Sequence, residues 1–105
     1  MDDNFKCFYK ILRALEKSLD KEEVDPDKIS ADALGISKIR WCKYMEMLID
    51  CGYIKNAEVS YFNDGSVGMI DHGICITLKG LEYLSENTIM QRIYNATIKA
   101  KNIIK

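Results

Sequence analysis

A chain of 105 residues, 48% hydrophobic and 30% charged, suffices for one compact domain and is too short for two ordinary ones. Its 15 Lys and Arg against 16 Asp and Glu leave a formal charge of -1, which excludes a protein held on nucleic acid by bulk electrostatics. No stretch approaches the roughly 20 apolar residues of a membrane helix, and the opening Met1-Asp2-Asp3-Asn4 is acidic where a secretory signal is basic and then apolar. The expectation is a cytoplasmic protein with a single domain over residues 1–105.

Helix 1 is the clearest element: Phe5, Phe8, Leu12, Leu15 and Leu19 recur at alternating spacings of three and four, with Ile11 and Ala14 widening the stripe. The helix should end near Leu19 or Asp20, because Glu22-Glu23-Val24-Asp25-Pro26 is charged and the residue before a proline is pushed out of the helical region. Two helix starts follow with the same grammar. Ser30 is placed to cap a short helix, with Ile29 and Leu34 as a hydrophobic staple, and Gly35 ends it. Ser37 opens a longer helix to about Cys51, with Ile36 and Trp41 as its staple. Gly52 then supplies a left-handed cap, and Tyr53 folds back on Leu48.

Beyond Gly52 the period changes. Ala57, Val59 and Tyr61 alternate with Glu58 and Ser60, Asn63-Asp64-Gly65 signals a turn, and a second extended run ends at Ile74-Cys75-Ile76. Gly65, Gly68 and Gly73 mark the returning strand as loose or bulged and leave its register open. Thr77 caps a helix from Leu78 to about Glu86, with Ile76 and Leu81 as a third staple, and Thr88 with Gln91 forms a capping box for a last helix. Ile89, Met90, Ile93, Tyr94, Ile98, Ile103 and Ile104 occupy more than one stripe of that helix. One face can cover helix 1 and the other can pair with a second copy, so a homodimer through the C-terminal helix is expected; burial of both faces within the monomer is the alternative.

This order gives an α+β fold: a winged helix-turn-helix, about 30–51, with a wing hairpin, about 53–77, and a C-terminal helical extension, about 78–104. Three segments carry a resemblance: Ile29-Ser30-Ala31-Asp32-Ala33-Leu34-Gly35-Ile36-Ser37, Leu48-Ile49-Asp50-Cys51-Gly52-Tyr53-Ile54, and Ile76-Thr77-Leu78-Lys79-Gly80-Leu81-Glu82-Tyr83-Leu84. Together they resemble the YjcQ-like small winged-helix family of bacteria and their prophages over roughly Phe5 to Tyr94. The resemblance implies the fold and a prophage origin, and carries no biochemical activity across.

Three classes of activity can be weighed on the residues. For a DNA-binding transcriptional regulator, Trp41, Tyr44, Met45 and Leu48 form the inner side of the second helix. Ser37, Lys38, Arg40 and Lys43 are the candidates for the groove: Arg40 for a guanine edge, Lys38 and Lys43 for phosphates or base acceptors, Ser37 for a phosphate. Read blandly, the same residues are the solvated face of an amphipathic helix. Glu46 and Asp50 share that face, and the Asn63-Asp64-Gly65-Ser66 tip carries an acid and no base, so a monomer should hold double-stranded DNA only modestly.

The alternative is a winged-helix adaptor that binds protein and no DNA, favoured by the near-neutral charge and the acidic stretch from Asp20 to Asp32. Catalysis is the third class: Asp71 and His72 are adjacent in an extended run and point apart, and no phosphate loop or nucleophile motif occurs. The four cysteines, Cys7, Cys42, Cys51 and Cys75, include no close pair, and His72 is the lone histidine. No metal site or cofactor is expected, and the cysteines read as small reduced residues in or near the core.

Overall fold

The computed structural model describes residues 3–22, 24–87 and 96. The helix expected from Thr88, and the dimer contact assigned to it, lie outside the described residues. The observed elements are helix α1 (Asp3–Lys17), helix α2 (Ala31–Leu34), helix α3 (Lys38–Asp50), strand β1 (Ile54–Tyr61), strand β2 (Val67–Ile76) and helix α4 (Leu78–Glu86), with 3-10 turns at Ser18–Asp20 and Pro26–Lys28. Helices with a two-stranded antiparallel hairpin make the fold α+β.

The three caps expected within the described residues form, and the Thr88–Gln91 capping box lies outside them. Ser30 Oγ accepts from the Ala33 amide at 3.1 Å, Ser37 Oγ from the Arg40 amide at 3.2 Å, and Thr77 Oγ1 from the Gly80 amide at 3.1 Å. Each satisfies an amide that the first helical turn leaves without a partner. Gly35 and Gly52 close α2 and α3 at φ 69° and 80°, a backbone setting that side chains with a Cβ rarely adopt. The Tyr53 amide reaches back to the Leu48 carbonyl at 2.9 Å, completing the stop of α3.

The core lies where α1, α3, the base of the hairpin and α4 meet. Ile11, Leu12, Leu15 and Met45 are fully buried, and Tyr9, Ile29, Leu48, Ile54, Ile74, Ile76 and Leu84 close around them. Two ends of the stripe read from α1 stay outside: Phe5 is 48% exposed, and Leu19 is 49% exposed on the 3-10 turn that follows Lys17. Cys7 and Tyr9, on the two flanks of the stripe, are buried instead. Cys42 is buried too, but Cys51 is exposed at the end of α3, half a turn around the axis from Cys42, which corrects its placement near the core.

The hairpin register answers the question left open by its glycines. Tyr61 pairs with Val67 and Ala57 with Asp71, then Lys55 pairs with Cys75 and Ile54 with Ile76. Asn56, at φ 63°, therefore stands alone opposite His72, Gly73 and Ile74. Asp71 holds this bulge shut: its carboxylate accepts from the Gly73 and Ile74 amides at 2.8 and 2.7 Å. The bulge turns Ile74 and Ile76 into the core while the distal half of the hairpin runs beside α3.

Gly80 marks the tightest approach between elements. A Cβ there would lie 2.6 Å from both Ile76 Cγ1 and the Tyr53 carbonyl oxygen, and that carbonyl is fixed by the Thr77 amide at 3.0 Å. Gly80→Ala should thus lower stability by about 1–3 kcal/mol despite the gain in helix propensity. Gly68→Ala, whose Cβ would meet only Phe62 Cε2 at 3.5 Å, should stay within about 0.5 kcal/mol of the parent. Urea midpoints of the two variants measure the difference, and equal midpoints would remove Gly80 as a packing constraint.

Candidate nucleic-acid interface

The outward side of α3 follows from what its inward side must bury. Cys42, Tyr44, Met45 and Leu48 are buried, and Trp41 is half-buried with its Nε1–H donating to the Ile29 carbonyl at 2.6 Å. With about 100° between successive residues, this setting leaves Ile39, Lys43 and Met47 as a line along the open side. Ile39 is 63% and Met47 51% exposed, and Lys43 between them is exposed as well.

The four groove candidates are all accessible or nearly so, but they do not share one direction. Ser37 stands exposed at the start of the helix, its oxygen engaged by the Arg40 amide and its proton able to donate outward. Lys38 lies toward the hairpin side and contributes an opposing charge at Cys42, whose thiol burial pushes up. Arg40 lies about 160° away around the axis. There its Nη1 donates to the Tyr44 hydroxyl at 3.1 Å and to Asn4 Oδ1 at 3.3 Å, with the guanidinium carbon 5.9 Å from the Tyr44 ring centroid. The Tyr44 hydroxyl itself donates to Asn4 Oδ1. A guanine reached through Nη1 must draw Arg40 away from α1, so Lys43 is the cation of the set that stands at the centre of the open side.

Two acids expected to repel phosphate turn out to be engaged. Tyr61, which follows Ala57 and Val59 on the inner face of β1, reaches past the covered region and donates its hydroxyl to Glu46, at 3.1 and 3.2 Å from the two carboxylate oxygens. Glu46 is consequently half-buried beside the hairpin rather than on the open line. At the hairpin tip Asp64 accepts from the Ser66 hydroxyl at 2.6 Å and the Ser66 amide at 2.9 Å, bonds that hold its carboxyl below the usual range and keep it charged. Asp50 remains exposed.

The Tyr61–Glu46 bond and the Arg40–Asn4 bond were not visible in the sequence. They join residues 15 and 36 positions apart and follow no local spacing rule.

The catalytic constellation considered from the sequence does not assemble. Asp71 is occupied with the bulge amides, while His72 Nε2 lies 3.5 Å from Glu58 Oε1 across the outer face of the hairpin, both side chains more than half exposed. Among the described residues no group of His, Cys, Asp and Glu is arranged to hold a metal ion. No helix among them is long and apolar enough to cross a membrane.

The Tyr61 contact can be read by titration. The hydrogen bond to Glu46, followed by burial and the carboxylate's charge, raises the Tyr61 phenol above its ordinary value of 10.0. A folded pKa above the unfolded one means that the contact contributes fully below the ordinary tyrosine range and is lost as pH rises through the shifted value. Tyrosinate absorbance should therefore show a late-ionising tyrosine that returns toward the ordinary range in Glu46→Gln. An unchanged titration in that variant would remove the Tyr61–Glu46 bond.

No curated protein and no solved structure matches this chain. A family model described as YjcQ protein matches residues 9–103. That span takes in all three capped helix starts, both left-handed helix stops and the whole bulged hairpin, and the chain belongs to the YjcQ family.

Proposed function

We propose that this chain is a winged helix-turn-helix protein that binds double-stranded DNA as a non-enzymatic transcriptional regulator. In this reading α2 and α3 are the helix-turn-helix, the β1–β2 hairpin is the wing, and α4 with the residues that follow it is the C-terminal extension. The observation that carries it is the open side of α3. Lys43 stands at its centre and Ser37 at its N-terminal end, the part of a recognition helix that enters the major groove, with Lys38 exposed on the flank toward the hairpin. The engagement of Glu46 by Tyr61 supports the same reading, because it holds that acid beside the hairpin.

The charge balance sets the scale of the affinity. With a net charge of -1, no long-range field gathers the protein onto DNA, and Asp50 and the Asp64 tip oppose phosphate approach. Binding depends on a few local contacts and should be modest for one copy. Two copies joined through residues 88–104, whose sequence has more apolar positions than one face requires, would double those contacts.

A second reading, a protein-binding adaptor, is favoured by the exposed Ile39, Met47, Tyr61 and Phe62 on and beside the same helix. Fluorescence-anisotropy titration against mixed-sequence duplex at low and moderate salt separates the two. The regulator should bind with a slope that shows roughly one counterion released per phosphate contact. Lys43→Glu should weaken binding by about ten-fold or more and flatten that slope by about one. Arg40→Glu should also weaken binding, by less, since its guanidinium rests on Asn4 and Tyr44. Flat titrations at every salt would leave the adaptor.

A further inference from the structure

We infer that Ile39, assisted by Met47, reads the 5-methyl group of thymine, so that the preferred ligand is a duplex with methyl-bearing A·T pairs facing α3. The inference rests on the duplex reading proposed above and names what that surface selects.

The open side of α3 is an unusual mixture: an apolar side chain, a cation and an apolar side chain at positions 39, 43 and 47, each one turn from the next, with the exposed Asp50 at its C-terminal end. Ile39 is 63% and Met47 51% exposed, although every other apolar residue of α3 is buried or half-buried. A solvated helix face is ordinarily polar, and the hairpin leaves these two positions uncovered while Tyr61 is occupied at Glu46. Water is a poor partner for both side chains. The one apolar group that the edges of the base pairs present in the major groove is the thymine methyl.

The geometry suits that partner. Residues 39 and 47 are about 12 Å apart along the axis, so they span roughly three to four base steps with Lys43 between them. Lys43 and Lys38 complement the phosphates that line the same groove. The N-terminal part of the helix goes deepest, which makes Ile39 the principal reader and Met47 the adaptable extension. Polar base edges are not matched by either side chain, so a G·C pair opposite Ile39 leaves its donors and acceptors unpaired.

The test uses the full chain and two duplexes of alternating A·T pairs, identical except that one carries uracil in place of every thymine. A methyl then lines each step of the groove and no operator needs to be known. Competition anisotropy should show the thymine duplex bound about four-fold more tightly for each methyl covered. Ile39→Ala should abolish most of that preference and Met47→Ala a smaller part. Both positions are exposed and alanine favours a helix, so the variants keep the fold. Equal affinity for the two duplexes, with salt-sensitive binding intact, would overturn the inference and leave the duplex reading standing. So would a preference that survives Ile39→Ala undiminished, which would assign it to duplex shape. Absence of binding to either duplex would overturn both.

Discussion

The rotational setting of α3 governs everything else about the surface of this protein. A helix can bury only one side, and here the choice is made by Met45, fully buried, with Tyr44 and Leu48 beside it, and by the Trp41 indole donating to the Ile29 carbonyl. That hydrogen bond matters because the carbonyl belongs to the residue just before the α2 cap. It ties the start of one helix to the first turn of the next, so the short α2, too brief to be stable alone, has its position fixed by a longer neighbour. Once those contacts are made, Ile39, Lys43 and Met47 have nowhere to point but outward. The surface is a consequence of the core, and a change that rotated α3 by one residue would exchange Lys43 for Tyr44 on the open side.

Features legible in the sequence were those decided over a few residues. Ser30, Ser37 and Thr77 cap their helices because a hydroxyl three positions before an unpaired amide is all that the bond requires. The reversals at Gly35 and Gly52 need only a residue without a Cβ. The hairpin register was illegible for the opposite reason. It is set by the Asp71 carboxylate taking two amides of its own strand, which produces three residues against one, and alternation of apolar residues does not encode that count. Phe5 and Leu19 fit the stripe of α1 yet stay exposed, because helical spacing reports which side a residue lies on and not how far along the helix the covering elements extend.

The candidate site divides in the same way. Its location on α3 and the exposure of Lys38 and Lys43 follow from helical geometry once the apolar side is known. The partners of Arg40 and Glu46 depend on where the start of α1 and the end of β1 come to rest, which is a tertiary fact. These contacts change the electrostatic character of the surface without changing its composition. A glutamate beside a lysine on one helix looks neutralising on paper; held by Tyr61, it stands half-buried beside the hairpin while Lys43 stays exposed. An arginine counted as a reader is, at rest, part of the joint between α1 and α3.

Family membership leaves the activity to chemistry, since one architecture can carry unrelated functions. The line of Ile39, Lys43 and Met47 is the feature on which the two readings differ most. A stable protein contact removes on the order of 800 Å² from each partner, so it must recruit Tyr61, Phe62 and other neighbours in addition to this line. A groove contact needs only the width of one helix, and it uses the cation in the middle as well as the apolar residues at the ends. A purely apolar docking strip would have no use for an exposed lysine at its centre, where burial of the charge without a counter-ion would be costly. Lys43 therefore weighs toward a partner that is both negatively charged at its edges and apolar at intervals within, and the major groove of a duplex has both properties.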